Sequence, residues 1–165
     1  MDVLKFYLYF NFLRDILILI QILFIAYLSF KKIKEEVVSG LFFLFKFFLT
    51  FIIVFFLVSY LKANFPEIRP ISYYFPGLEK DDSFPSRHTA ISFSISFLLL
   101  DLSLKYFILS FVVSIFVALF SLFSFSHWPL DVFFGFLIGF IIALISREFS
   151  YFFHRLYVHK FKPKA

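Results

Sequence analysis

The sequence predicts an all-α fold: a polytopic membrane helical bundle of about five transmembrane helices behind a short N-terminal interfacial helix. Three observations carry that prediction. Of the 165 residues, 62% are hydrophobic, far above the apolar share that a soluble domain balances with a charged surface. The apolar residues gather into runs of roughly membrane-crossing length, separated by short charged breaks. One long polar stretch, Lys62 to His88, interrupts the pattern with four prolines and a concentration of charge. The chain reads as a single domain over 1–165 with its chemistry in a core at 37–146, and it shows no internal repeat, low-complexity linker or second soluble domain.

Met1 to Leu13 carries Lys5 and Asn11 among aromatics and is too short to cross a hydrocarbon layer that takes about twenty helical residues, so an interfacial helix is expected. Ile16 to Phe30 is the first span, and it ends in Lys31, Lys32 and Lys34 rather than in the small-residue site of a cleaved signal peptide. Val37 to Leu61 is the second, with Lys46 near enough to the Glu35–Glu36 end to snorkel out to the interface. Thr89 to Leu100 is the third, closed by a tight turn at Asp101–Lys105; Tyr106 to Phe125 is the fourth; and Val132 to Ile145 is the fifth, followed by a basic tail from Arg147. Gly135 and Gly139 stand four apart in that last span, the spacing that lets two helices approach closely. The 32 phenylalanines are expected on lipid-facing positions.

Five spans bring the loop 62–88 and the cluster Ser126–Asp131 to one face. Lys31, Lys32, Lys34, Lys105, Arg147, Arg155, Lys160, Lys162 and Lys164 fall on the other, and positive residues mark the cytoplasmic side. The polar face is thus expected to look outward, toward the periplasm or exterior. Cysteine is absent, which excludes disulfides, thiolate metal sites and a cysteine nucleophile. The net charge of +5 suits an anionic membrane surface or an anionic substrate.

His127 and Asp131 are four residues apart, one helical face, with Ser126 as a cap and Pro129 tolerable in the first turn. A carboxylate beside one imidazole nitrogen fixes the tautomer and leaves the other free as base or nucleophile. His88 follows Pro85 and Ser86 at the start of the third span, where backbone N–H groups favour an anion. Lys62, Arg69 and Arg87 add fixed positive charge suited to phosphate oxygens. Two histidines, one with a carboxylate, and three cations describe a phosphoryl-transfer site without an obligatory metal or other cofactor. Spacing alone does not say which histidine attacks. Asp81 and Asp82 are expected to solvate the loop or cap the next helix rather than bind a divalent cation, and His154 and His159 to be interfacial residues of the tail.

Lys62, six residues, then Arg69–Pro70; Pro85–Ser86–Arg87–His88; and His127, three residues, then Asp131 resemble, in order and spacing, the three motifs of the type 2 phosphatidic acid phosphatase superfamily. The resemblance covers roughly 62–139. It implies a membrane lipid phosphatase in which His127 is the nucleophile, Asp131 orients it, His88 protonates the leaving group, and Lys62, Arg69 and Ser86 hold phosphate oxygens. Two departures stand out: Phe120 and Ser121 replace the Ser-Arg that opens the third motif, and Arg87 replaces the glycine usual in the second. Arg87 is expected to supply the missing charge.

The resemblance further implies a phosphohistidine intermediate, a phospholipid or lipid A type substrate, and a place in the bacterial inner membrane, with no nucleic-acid partner. The 1-phosphate of lipid A is the expected target; undecaprenyl diphosphate and phosphatidylglycerophosphate are the alternatives. From another class, a non-catalytic transporter or lipid-binding scaffold would place its polar residues near the midplane, whereas here they sit at span ends.

Overall fold

The computed structural model describes residues 3–76 and 82–161, the last four of these by backbone alone. The fold is all-helical: α1 Val3–Glu35, α2 Val37–Asn64, α3 Pro70–Tyr74, α4 Arg87–Leu99, α5 Leu104–Phe123 and α6 Pro129–Phe161. Four of these, α1, α2, α5 and α6, are long and apolar enough to cross a membrane.

The expected interfacial helix is not a separate element. It is the first part of α1, which runs unbroken for 33 residues, about 50 Å at the rise of an α-helix and well beyond a hydrocarbon core of about 30 Å. No proline or glycine lies between Val3 and Glu35 to end the helix, so the polar residues at Asn11 and Arg14 ride on a continuous rod. The basic tail is likewise helical as far as Phe161, because α6 continues through Arg147 to that residue. The expected third span is shorter than its neighbours: α4 has 13 residues, about 20 Å. It packs against α1, α2, α5 and α6, and ten of its residues are buried. A short helix suffices there because protein, not lipid, surrounds it.

Which face of each helix turns inward follows a 3–4 spacing. In α1 the buried positions are Tyr7, Arg14, Ile18, Gln21, Ile25, Leu28 and Ser29, and in α5 they are Ser110, Ser114, Val117 and Ser121. The outer faces carry large apolar side chains such as Phe12, Phe30, Phe48, Phe56 and Phe152. Small polar residues therefore line the helix contacts, as expected where lipid is as apolar as leucine and hydrophobicity cannot hold helices together. Gln21 Nε2 donates to the Ser110 carbonyl, Ser110 Oγ and Ser114 Oγ, each at 3.0 Å, and Gln21 Oε1 accepts from Ser92 Oγ at 2.6 Å. Ser96 Oγ closes the network with Ser110 and Ser114 at 2.9 and 2.8 Å. The polar residues are thus not confined to the span ends. Those in the middle satisfy one another.

Gly135 and Gly139 do pack closely, and what they admit is α4. A Cβ at Gly135 would stand 2.6 Å from the Ser86 carbonyl oxygen, and one at Gly139 would stand 2.5 Å from that of Ala90. This approach lets Ser86 N–H reach the Asp131 carbonyl at 3.0 Å, which locks the start of α4 to the start of α6.

At the far end Lys46 does not snorkel outward. It is 4% exposed, its ammonium donates to Asp101 in the α4–α5 turn, and it lies 5.0 Å from the Phe43 ring centre. Arg147 comes within 3.8 Å of the same carboxylate. A lysine buried in a bundle needs such a partner, and Asp101 is in reach.

Candidate active site

The site forms at the opposite end, where α2 finishes and α4 and α6 begin. Backbone bonds knit its loops together: Ile71 N–H to the Phe125 carbonyl at 2.8 Å and Ser83 N–H to the Glu67 carbonyl at 2.9 Å. Trp128 Nε1 donates to the Ile68 carbonyl at 2.8 Å. Phe125, with φ of 54°, turns the chain from α5 into α6 within a few residues.

These bonds enclose a cavity of about 80 Å³ lined by Lys62, Arg69, Asp82, Arg87, His88 and His127. It is a headgroup-sized space rather than a lipid-sized one. Three cations against one carboxylate make it a place for an anion. Arg69 is held by a forked pair of bonds to Asp82 Oδ1, 2.9 Å from Nε and 2.7 Å from Nη2. Asp82 therefore does not solvate the loop or cap α4: it orients the arginine. Asp81 and Lys80 lie outside the described residues. Lys62 donates to the carbonyl oxygens of Asp82 and Ser83. Arg87 extends toward α2, donating from Nη2 to Ser59 Oγ at 3.1 Å with its guanidinium 4.8 Å from the Phe55 ring centre.

His127 is 4% exposed. Its Nδ1 meets the Ser83 carbonyl at 2.8 Å, and a carbonyl only accepts, so Nδ1 carries the proton and Nε2 is left with its lone pair. Asp131 Oδ2 stands 3.6 Å from the same nitrogen, beyond hydrogen-bond length. The carboxylate instead accepts from Trp128 N–H at 2.8 Å and from the Ser83 hydroxyl. The tautomer is thus set by Ser83, and Asp131 acts through Ser83 and through its charge. Burial drives the His127 pKa down to about 4, helped by Lys62 and Arg69 and opposed by Asp131.

Ser86 caps α4: its hydroxyl accepts from Thr89 N–H at 3.5 Å and pairs with Thr89 Oγ1 at 2.9 Å. It is fully buried and does not line the cavity. Ser121, where the third motif usually has arginine, is also buried and donates to the Val117 carbonyl.

Four residues that sequence reasoning did not single out belong to the neighbourhood. Ser83 carries the tautomer-setting carbonyl. From α1, Asn11 Oδ1 accepts from Ser126 Oγ at 2.9 Å, Arg14 is buried, and Asp15 Oδ1 lies 3.6 Å from His88 Nε2. The signal for α1 was present as the polar group Asn11, Arg14 and Asp15 within the first half of a helix that is long and apolar enough to cross a membrane. Nothing local marks Ser83.

A helical membrane protein with two histidines and a cluster of cations at one end of its bundle is the class that fold and site define. A family model of the PAP2 superfamily matches residues 43–155, and the chain belongs to that superfamily. The crystal structure of Aquifex aeolicus LpxE is similar, with 28% identity over 79% of this chain and 86% of that one and a TM-score of 0.57. No curated protein sequence matches the chain. The family and this likeness make the protein a membrane lipid phosphatase.

Proposed function

We propose that the protein removes phosphate from a lipid headgroup through a phosphohistidine at His127. The observation that carries this reading is the His127 ring itself, with Nδ1 held by Ser83 and the ring lining the cationic cavity. Nε2 attacks phosphorus, the lipid oxygen departs with a proton from His88, and water then hydrolyses the phosphohistidine with His88 as base. Lys62, Arg69 and Arg87 neutralise the oxygens as charge builds in the transition state. Ser86 serves by fixing the start of α4, not by touching phosphate. Since side-chain cations supply the neutralisation, turnover is expected to persist in EDTA; loss that magnesium or zinc restores would refute the metal-free reading.

The favoured substrate is the 1-phosphate of lipid A, supported by the likeness to LpxE; undecaprenyl diphosphate and phosphatidylglycerophosphate are the competitors. Phosphate release by detergent-purified protein across these three lipids and phosphatidic acid decides among them. The excess of lysine and arginine at the far end supports a bacterial inner-membrane location with the cavity facing outward. A cysteine at Lys80 should then react with an impermeant thiol reagent on intact cells, and one at Lys162 should not.

A further inference from the structure

The second histidine has a carboxylate of its own, and it comes from α1. Asp15 Oδ1 lies 3.6 Å from His88 Nε2 and accepts from Arg14 Nε at 3.0 Å. Arg14 is 6% exposed, so the pair is anchored from within the bundle. One turn earlier Asn11 bonds Ser126, the neighbour of His127, which fixes this level of α1 against the site.

The charges around His88 explain why such a partner matters. α1 presents Arg14 and Asp15, α2 presents Lys62, the loop before α3 presents Arg69, and α4 itself carries Arg87; His127 faces it from the turn before α6. Of the other two carboxylates, Asp82 is engaged by Arg69, and Asp131 by Ser83 and Trp128. Burial first, and then the surrounding cations, push the His88 imidazole well below its ordinary pKa, yet a leaving-group acid has to hold its proton until the ester bond breaks. Asp15 supplies the opposing charge at the ring.

We propose that Asp15, held by Arg14, is a positioning residue for His88 whose charge offsets the surrounding cations and favours the protonated ring that serves as the leaving-group acid. The proposal rests on the phosphatase reading above. As the His127 Nε2–phosphorus bond forms, the phosphorus–oxygen bond to the lipid breaks, its electron pair stays on the lipid oxygen, and that oxygen takes the proton of His88 Nδ1, the ring nitrogen that does not face Asp15 and that finds no hydrogen-bond partner among the described residues. Neutral His88 then removes a proton from the water that attacks the phosphohistidine. The imidazolium facing Asp15 is restored, and inorganic phosphate leaves.

The test is phosphate release by the purified full chain, with the lipid that the parent hydrolyses best, followed from pH 4 to 10. Asp15→Asn should lower kcat about tenfold at neutral pH, a part of the roughly hundred- to ten-thousandfold that a general acid contributes. KM should stay within about twofold, and the alkaline limb should move about one pH unit lower while the acid limb stays in place. Asp15→Glu should restore the alkaline limb. Asp15 is 56% exposed at its side chain, so folding should survive; Asp15→Ser is measured beside Asp15→Asn, and either variant that melts with the parent decides. An unmoved alkaline limb, or a loss equal at every pH, would overturn the role of Asp15. An inactive parent on every phosphorylated lipid would instead refute the phosphatase reading, and this proposal with it.

Discussion

The two ends of the bundle handle buried charge in opposite ways. At the far end Lys46 and Asp101 neutralise each other at 5% and 9% side-chain exposure, and Arg147 alongside has Glu148 within 3.4 Å. At the site end the four cations Arg14, Lys62, Arg69 and Arg87 outnumber the three carboxylates Asp15, Asp82 and Asp131, and positive charge is left over. A closed pair fastens the α4–α5 turn to α2. An open cluster costs stability that an anion restores on binding. The comparison teaches that burial of a lysine alone does not mark an active site in such a protein; an unbalanced sum of charge does.

The largest expected effect lies at the site end. His127→Ala should reduce phosphate release by about ten-thousandfold or more, as removal of a nucleophile does, with the melting temperature in detergent little changed. Turnover near the parent level would remove the mechanism. Next is Arg87→Gly, expected to lower kcat/KM about a hundredfold as the loss of a transition-state charge partner does. An unaffected rate would show that its contacts with Ser59 and Phe55 are its whole role, leaving Lys62 and Arg69 to hold the phosphate.

The pH profile sharpens the same contrast. Because His127 has a pKa of about 4, its free lone pair should persist on acidification, and the acid limb of kcat/KM should fall only near pH 4. For stability the sign is fixed by proton uptake: the unfolded histidine binds a proton near pH 6.5, while the folded one does so only near pH 4. Stability should therefore decline as pH falls through that window, and His127→Ala should abolish this part of the decline in a melting series.

The smallest effect on activity is expected from the far end. Lys46→Met leaves the Asp101 carboxylate with Tyr151 and the more distant Arg147, and should cost about 3–5 kcal/mol of stability while the folded fraction keeps its kcat. Lys46→Met with Asp101→Leu should recover most of that loss. A change in kcat without a change in melting would mean that the two ends are coupled, and the division between fastening and function would fail.

The apolar runs and the residues of the three motifs were determined by the sequence alone, whereas the continuity of α1 through the expected interfacial segment and the shortness of α4 were not. Apolar runs of this length have no other home than a bilayer, and proline, serine and charge at their ends fix where α2 stops and where α4 and α6 start. Gly135 and Gly139 announced a close approach, though not that α4 makes it. The tertiary structure decided the partners. Ser83 rather than Asp131 meets His127, Asp82 orients Arg69, Asp101 receives Lys46, and α1 brings Arg14 and Asp15 to the site. The reason is physical. Local sequence sets the periodicity of a helix, but which face turns inward in a bilayer is set by small residues and hydrogen bonds between helices, since both faces are apolar. The serines at 110, 114 and 121 and the glutamine at 21 carried that information, and it became contacts only once five helices had been assembled around them.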